Sequence, residues 1–148
     1  MAWTVAVTKN AGQWAYKRGD GRELFCFKMA VVSDTSASGD ITLSTELTTT
    51  YGAKESDRIM EKLGAFAVHN VYFVAGTSTA EPTLTIDNQD EVLIFTSAIT
   101  DGTANEFLEG GVETAGRPQP VMTDAIIACG ALAEATTKTA TFYLWLIR

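Results

Sequence analysis

The segment Thr139 to Ile147, T-A-T-F-Y-L-W-L-I, constrains the fold more than any other part of the chain. On a pleated strand successive side chains alternate, so Ala140, Phe142, Leu144 and Leu146 share one face and Tyr143, Trp145 and Ile147 the other. Both faces are apolar. One can cover the protein's own core; the second needs another sheet, a loop or a neighbouring subunit to shelter it. A small fold carrying such a strand is expected to assemble.

Twenty-one threonines among 148 residues, with many Val, Ile, Phe, Tyr and Trp, suit pleated sheets, because β-branched and aromatic side chains fit a half-buried pleat. Alternation places the strands. Trp3, Val5 and Val7 mark the first, and Phe25, Phe27, Met29 and Val31 line one face of a long second strand after a turn at Arg18-Gly19-Asp20-Gly21. Ser33 to Asp40 is a polar break, Ile41 and Leu43 mark a short strand, and Thr45 to Thr50 reads as a loop. Further strands carry Phe66, Val68, Tyr72 and Val74, then Leu84 and Ile86, then Val92 to Ile99, Val121 to Cys129, and Thr139 to Ile147. Asp87 to Asp90 is a turn, and Asp101 to Pro120 a long loop of the kind that carries function or packs on a partner.

Between Glu55 and Leu63 the period changes. Ile59, Met60 and Leu63 recur at helical spacing, Ser56 can cap the start and Gly64 can supply a left-handed stop. The reading is an all-β chain, an antiparallel β-sandwich of jelly-roll type, with one short helix near residues 55–63. Residues 1–148 form a single domain in this reading, with residues 1–20 a candidate extended arm.

Composition narrows the function. A formal charge of −7, with eleven scattered Lys and Arg, opposes nucleic-acid binding, which needs clustered cations. Met1 to Lys9 is too short and too alternating for a signal peptide, and no apolar run reaches the roughly 18 residues of a membrane span. Cys26 and Cys129 each sit in an apolar strand, where a buried free thiol is expected in a reducing compartment.

No set of residues makes a catalytic centre, and the expectation is a non-enzyme without cofactor or metal. His69 is the sole histidine, which removes multi-histidine metal sites, and its place in the strand-like run Phe66 to Val74 reads as an ordinary strand or rim residue ahead of a catalytic base. Asp87, Asp90 and Glu91 lack the spacing of a calcium loop and suit a solvated turn. Glu106, Glu109 and Glu113 could do acid/base work, but the sequence names no partner groups, so they read as a solvated or partner-facing acidic patch. Arg18-Gly19-Asp20 matches the tripeptide read by integrins, but three residues are a weak signal and the flanking glycines explain the segment better as a tight turn.

From Leu63 onward the order is a Gly-led apolar strand (Gly64 to Val74), G-x(5)-P-T (Gly76 to Thr83), an alternating strand ending in Asp87, the run D-E-V-L-I, a loop closed by Pro118 and Pro120, and two final strands around Gly130. This pattern, over a little more than half the chain, resembles the small β-sandwich cement or decoration proteins of tailed-bacteriophage capsids. It departs from that pattern at Asn88-Gln89 and Lys138-Thr139, where glycine is usual. The resemblance implies a protein made in the host cytoplasm and located on the virion, bound to the major capsid protein at subunit junctions as a homo-oligomer, a trimer being favoured. Neither nucleic acid nor membrane is an expected partner.

Candidate contact residues are Trp3, Trp14, Tyr16, Phe107, Leu108, Tyr143, Trp145 and Ile147, since aromatic side chains bury much area with few rotatable bonds. Two alternatives stay open. One is a neck, tail or receptor-binding virion component; the other is a carbohydrate-binding sandwich, for which Trp14, Tyr16 and Tyr51 would have to form a stacking platform.

Overall fold

The structure, a computed structural model, describes residues 1–8, the backbone of 16–17, and residues 23–33, 38–64, 66–108, 124–132 and 136–148. Its elements are β1 (Ala2–Val7), β2 (Tyr16–Lys17), β3 (Glu23–Ser33), β4 (Gly39–Thr42), α1 (Leu43–Tyr51), α2 (Ala53–Leu63), β5 (Ala67–Ala75), β6 (Thr83–Asp87), β7 (Leu93–Ala98), β8 (Glu106–Leu108), β9 (Ile126–Cys129) and β10 (Lys138–Ile147). The Arg18 to Gly21 turn lies outside the described residues, although β2 and β3 pair antiparallel across it, Lys17 opposite Glu23.

Two antiparallel sheets pack into a sandwich. The larger has the order β1-β3-β10-β5-β8, with β2 also paired to β3; the smaller is β4-β9-β6-β7. The pairing from β3 onward is nested: β3 with β10, β4 with β9, β5 with β8 and β6 with β7. Two more pairs, β10 with β5 and β6 with β9, wrap that ribbon into sheets.

Alternation decides what the sandwich encloses. The cross-strand row Val5, Met29, Phe142 and Phe73, and the next one, Val7, Phe27, Leu144, Val71 and Leu108, point inward and are buried. Leu84, Ile86, Phe95 and Ile127 close over them from the smaller sheet. The Phe73 and Phe142 rings stand 5.5 Å apart in a tilted contact, a geometry aromatic quadrupoles favour. Each such side chain contributes roughly 1.5–3 kcal/mol on burial.

The helical region differs from the expectation of one helix. Residues 43–51 form α1, where the sequence reads a strand at Leu43 and a loop at Thr45 to Thr50. Threonine disfavours helices through its stiff χ1, so tertiary contacts decide here. Leu43 and Leu47, one turn apart, are buried in the core. The open N-terminus of α1 is closed from far along the chain: Ser44 N and Ser44 Oγ donate to the Asp124 carboxylate at 3.0 and 2.7 Å, and Leu43 N donates to Ala125 O at 2.9 Å. A carboxylate there satisfies orphan N–H groups and complements the helix dipole.

At the other end of α1, Thr50 Oγ1 donates to Val5 O at 2.9 Å, while Val7 N donates to Tyr51 Oη at 2.8 Å. These are the outward-facing groups of edge strand β1, so the helix end seals that edge. Gly52, at φ +85°, turns the chain into α2. The expected helix near 55–63 is α2, beginning at Ala53. Ser56 lies inside it and donates its hydroxyl to Ser44 O at 3.2 Å instead of capping the start. Gly64 is right-handed, φ −57°, so it is not a left-handed stop.

The G-x(5)-P-T segment owes its glycine to contact. A Cβ on Gly76 would lie 2.3 Å from Thr139 O. Thr77 N donates to Thr139 Oγ1 and Thr139 N to Thr77 Oγ1, at 3.1 and 2.9 Å, while buried Ser78 donates its hydroxyl to Leu132 O at 2.7 Å. Thr139 is thus a hydrogen-bonding anchor. The two thiols are unpaired and buried, and burial pushes Cys26 up to about 11 and Cys129 to about 12.

Asp124→Ala should lower the unfolding free energy by about 1–2 kcal/mol, read as a shifted urea midpoint with an unchanged slope. Adding Ser44→Ala should then cost little more, since both remove one interaction. Gly76→Ala should cost about 1–3 kcal/mol by overpacking against the Thr139 backbone, checked by thermal unfolding.

Candidate interface on the outer face of the larger sheet

The outward residues of the larger sheet follow from the same register. One cross-strand row runs Ala6, Lys28, Tyr143, Tyr72, Phe107. Rows on one side hold Thr4, Ala30, Thr141 and Val74, then Ala2, Val32 and Thr139; on the other side lie Cys26, Trp145 and Asn70. Tyr72 and Phe107 rings are 4.6 Å apart. Phe107 is 63% exposed and Val32 41%, while Tyr72, Tyr143 and Trp145 are half-buried. The outer face of the smaller sheet is different, with Asp40, Ala128, Thr85 and Thr96 in one row. That row needs no cover; an aromatic row, with Lys28 its one cation among the described residues, favours contact with another molecule.

The predicted contact residues separate into groups. Tyr143, Trp145 and Phe107 share this outer face. Ile147 points the same way, beyond Trp145, but is only 7% exposed, so within this chain it is already covered. Leu108 is turned inward beside Val71 and is buried, because it follows Phe107 on the strand. Trp3 faces inward in the row of Val31 and Ala140 and packs on the core, its indole N–H without an acceptor among the described residues. Trp14 lies outside the described residues, and for Tyr16 only the backbone pairing with Leu24 is placed. As for the arm, Ala2–Val7 is a paired edge strand.

Tyr72, Val32 and Lys28 were missed as surface members of this face. Strict alternation from Phe66 through Val68 to Tyr72 and Val74 puts all four on one side. The ladder between β10 and β5 instead pairs Trp145 with Asn70 and Leu146 with Val68, leaving His69 as the extra residue of a bulge. That insertion shifts the phase, so Val68 and then Val71 and Phe73 turn to the core, and Tyr72 and Val74 turn out. His69 is an exposed bulge residue.

The acidic candidates have structural partners. Glu106 accepts hydrogen bonds from Thr100 N at 2.6 Å and from the Thr100 hydroxyl, which ties β8 to the end of β7; bonds from the Thr100 side chain first, with lesser backbone bonds, hold its carboxyl below the usual range. Thr103 does the same for Asp101. Asp87 to Asp90 is the expected turn, in which Asn88 Oδ1 accepts from Asp90 N at 2.9 Å and Val92 N at 3.0 Å. Among the described residues no three His, Cys, Asp or Glu side chains converge to hold a metal ion. Glu109, Glu113 and the Arg18-Gly19-Asp20 tripeptide lie outside the described residues. No helix among the described residues is long and apolar enough to cross a membrane.

No family model matches the chain, and no curated protein matches it significantly.

Thr100→Val removes the hydroxyl donor, so the Glu106 pKa should rise towards its ordinary value in an NMR carboxyl titration. Because the folded-state pKa is lowered, the stabilisation from this contact is present above the ordinary carboxylate range and disappears as pH falls through the folded value. The difference in Tm between wild type and Thr100→Val should therefore be largest near neutrality and shrink on acidification.

Proposed function

We propose that this chain is a virion structural protein, a cement or decoration protein that binds the outer surface of a tailed-phage capsid at subunit junctions and stabilises the shell. Its partner is the major capsid protein, it acts as a homo-oligomer with a trimer favoured, and it does no chemistry. The observation that carries this reading is the aromatic row Tyr143, Tyr72, Phe107, with Trp145 and Val32 beside it, on the outside of an otherwise threonine-rich sandwich. A cement protein stabilises through contact area, and these side chains supply it.

Topology adds support. Numbered from β3, the eight strands pair first with eighth, second with seventh, third with sixth and fourth with fifth, a nested order that is compatible with a jelly roll and supports that reading of the sandwich. Viral capsid components recur on that fold, as do lectins and cupins, so the fold alone does not choose a function. The lectin-like alternative loses support at Tyr51, whose hydroxyl is engaged with the β1 edge. Negative net charge fits a position away from packaged DNA, hence the outer surface.

Shells purified without the protein should bind it saturably in co-sedimentation, and cryo-electron microscopy should place it outside at subunit junctions. Tyr143→Ala and Phe107→Ala should each weaken binding, with about 2 kcal/mol lost at the better buried of the two, while Tm changes little for Phe107→Ala. Absence from particles, or a location inside the shell, would overturn the reading.

A further inference from the structure

Among the described residues, strand β7 leaves one edge of the smaller sheet open. Ile99 N donates to Pro82 O at 3.1 Å, and Ala98 lies opposite Thr83. That parity directs the backbone groups of Phe95 and Ser97 towards β6, and those of Thr96 and Ala98 away from it. Among the described residues no strand pairs with that outer side. Other edges are managed: α1 seals β1, β4 lies against Met1 at Gly39, and β8 has three residues. By contrast β7, L-I-F-T-S-A, has six residues with no charge and no proline to discourage pairing. Exposed Val92 and Leu93 stand at its start, and an open groove of about 450 Å³ lies at its end, lined by Ser97, Ala98, Thr100, Glu106, Phe107 and Leu108.

Charge selects the occupant. No Lys or Arg occurs between Lys62 and Arg117, whereas Glu81, Asp87, Asp90, Glu91, Asp101 and Glu106 all fall in that stretch. Asp90 and Glu91 are exposed before β7, and Asp101 is exposed after it. If two copies paired their β7 strands antiparallel about Thr96, Glu91 of each would fall near Asp101 of the other, and the repulsion disfavours a second copy.

We infer that β7 is completed by an extended segment of another polypeptide, bonded through its backbone to Thr96 and Ala98, with a short uncharged run flanked on both sides by Lys or Arg. Backbone bonds give the affinity and the basic flanks the selectivity. The inference does not rest on the shell-binding reading: the backbone groups it uses belong to the smaller sheet, and Phe107 alone of the aromatic row also lines the groove at the end of β7.

The probe is a synthetic peptide with lysines at both ends of an alternating valine–threonine run matched to β7 in length. It should bind the full chain saturably in fluorescence anisotropy, more weakly as salt rises, and shift the amide resonances of Thr96 and Ala98. A glutamate-flanked version should bind roughly tenfold less well or worse at low ionic strength, and methylation of alternate peptide amides should abolish binding. Thr96→Pro removes an N–H that β6 does not use, so it should lose the peptide and keep its fold; the methylated peptide tests the unaltered protein if that variant does not fold. No saturable binding, equal binding of the methylated peptide, or self-association through β7 that Thr96→Pro removes would each overturn the inference. Shell binding that survives Thr96→Pro alongside loss of the peptide leaves both readings standing.

Discussion

The sandwich depends on β10 being flanked on both sides. Its ten residues pair with β3 from Lys138 to Ile147 and with β5 from Ala140 to Ile147, so the strand with apolar side chains on both faces is central in its sheet. Its backbone donors and acceptors are consumed by two neighbours, and Phe142, Leu144 and Leu146 enter the core between the sheets. Partners more than a hundred residues apart must meet for this to happen, as when Glu23 and Arg148 exchange backbone bonds and pair their side chains. Such a fold closes late and as a unit.

Placing β10 centrally also fixes what its second face can be. Tyr143 joins Tyr72 and Phe107 across the strands, and that row cannot turn inward without reversing the core. The outer aromatic face is therefore a geometric consequence of burying Phe142 and Leu144. The smaller sheet is free of this constraint: one outer row holds Asp40, Ala128, Thr85 and Thr96 and the next Thr42, Ile126, Asp87 and Leu93, with no aromatic side chain in either. The asymmetry between the two outer faces underlies the proposed contact role, and the unprotected edge of β7 offers a second, chemically different mode of attachment.

Helix α1 bridges the two sheets along one side. Asp124 and Ala125, just before β9 of the smaller sheet, close its first turn, and Thr50 and Tyr51 at its end bond to β1 of the larger one. One short helix thereby satisfies its own orphan amides and an edge strand's unpaired groups.

Most strand positions, the α2 helix, the Asp87 to Asp90 turn and the sandwich class were legible in the sequence, because a period of two or of 3.6 is a local property of apolar spacing; β8 was not, since Glu106 to Leu108 is too short to show a period and lies within the stretch read as a loop from Asp101 to Pro120. Leu43, Leu47 and Tyr51 did carry a helical spacing, but the threonines between them spoke for a loop, and contacts that exist only in the folded chain, such as Asp124 eighty residues from Ser44, tip that balance. Half of the outer face was readable from Tyr143 and Trp145; Tyr72 was not, since a single bulge residue at His69 reverses which side of β5 meets the core. Local spacing determined the elements of this protein. Tertiary structure decided which faces and edges were left over, because phase, capping and edge protection depend on groups that meet only after the chain has folded.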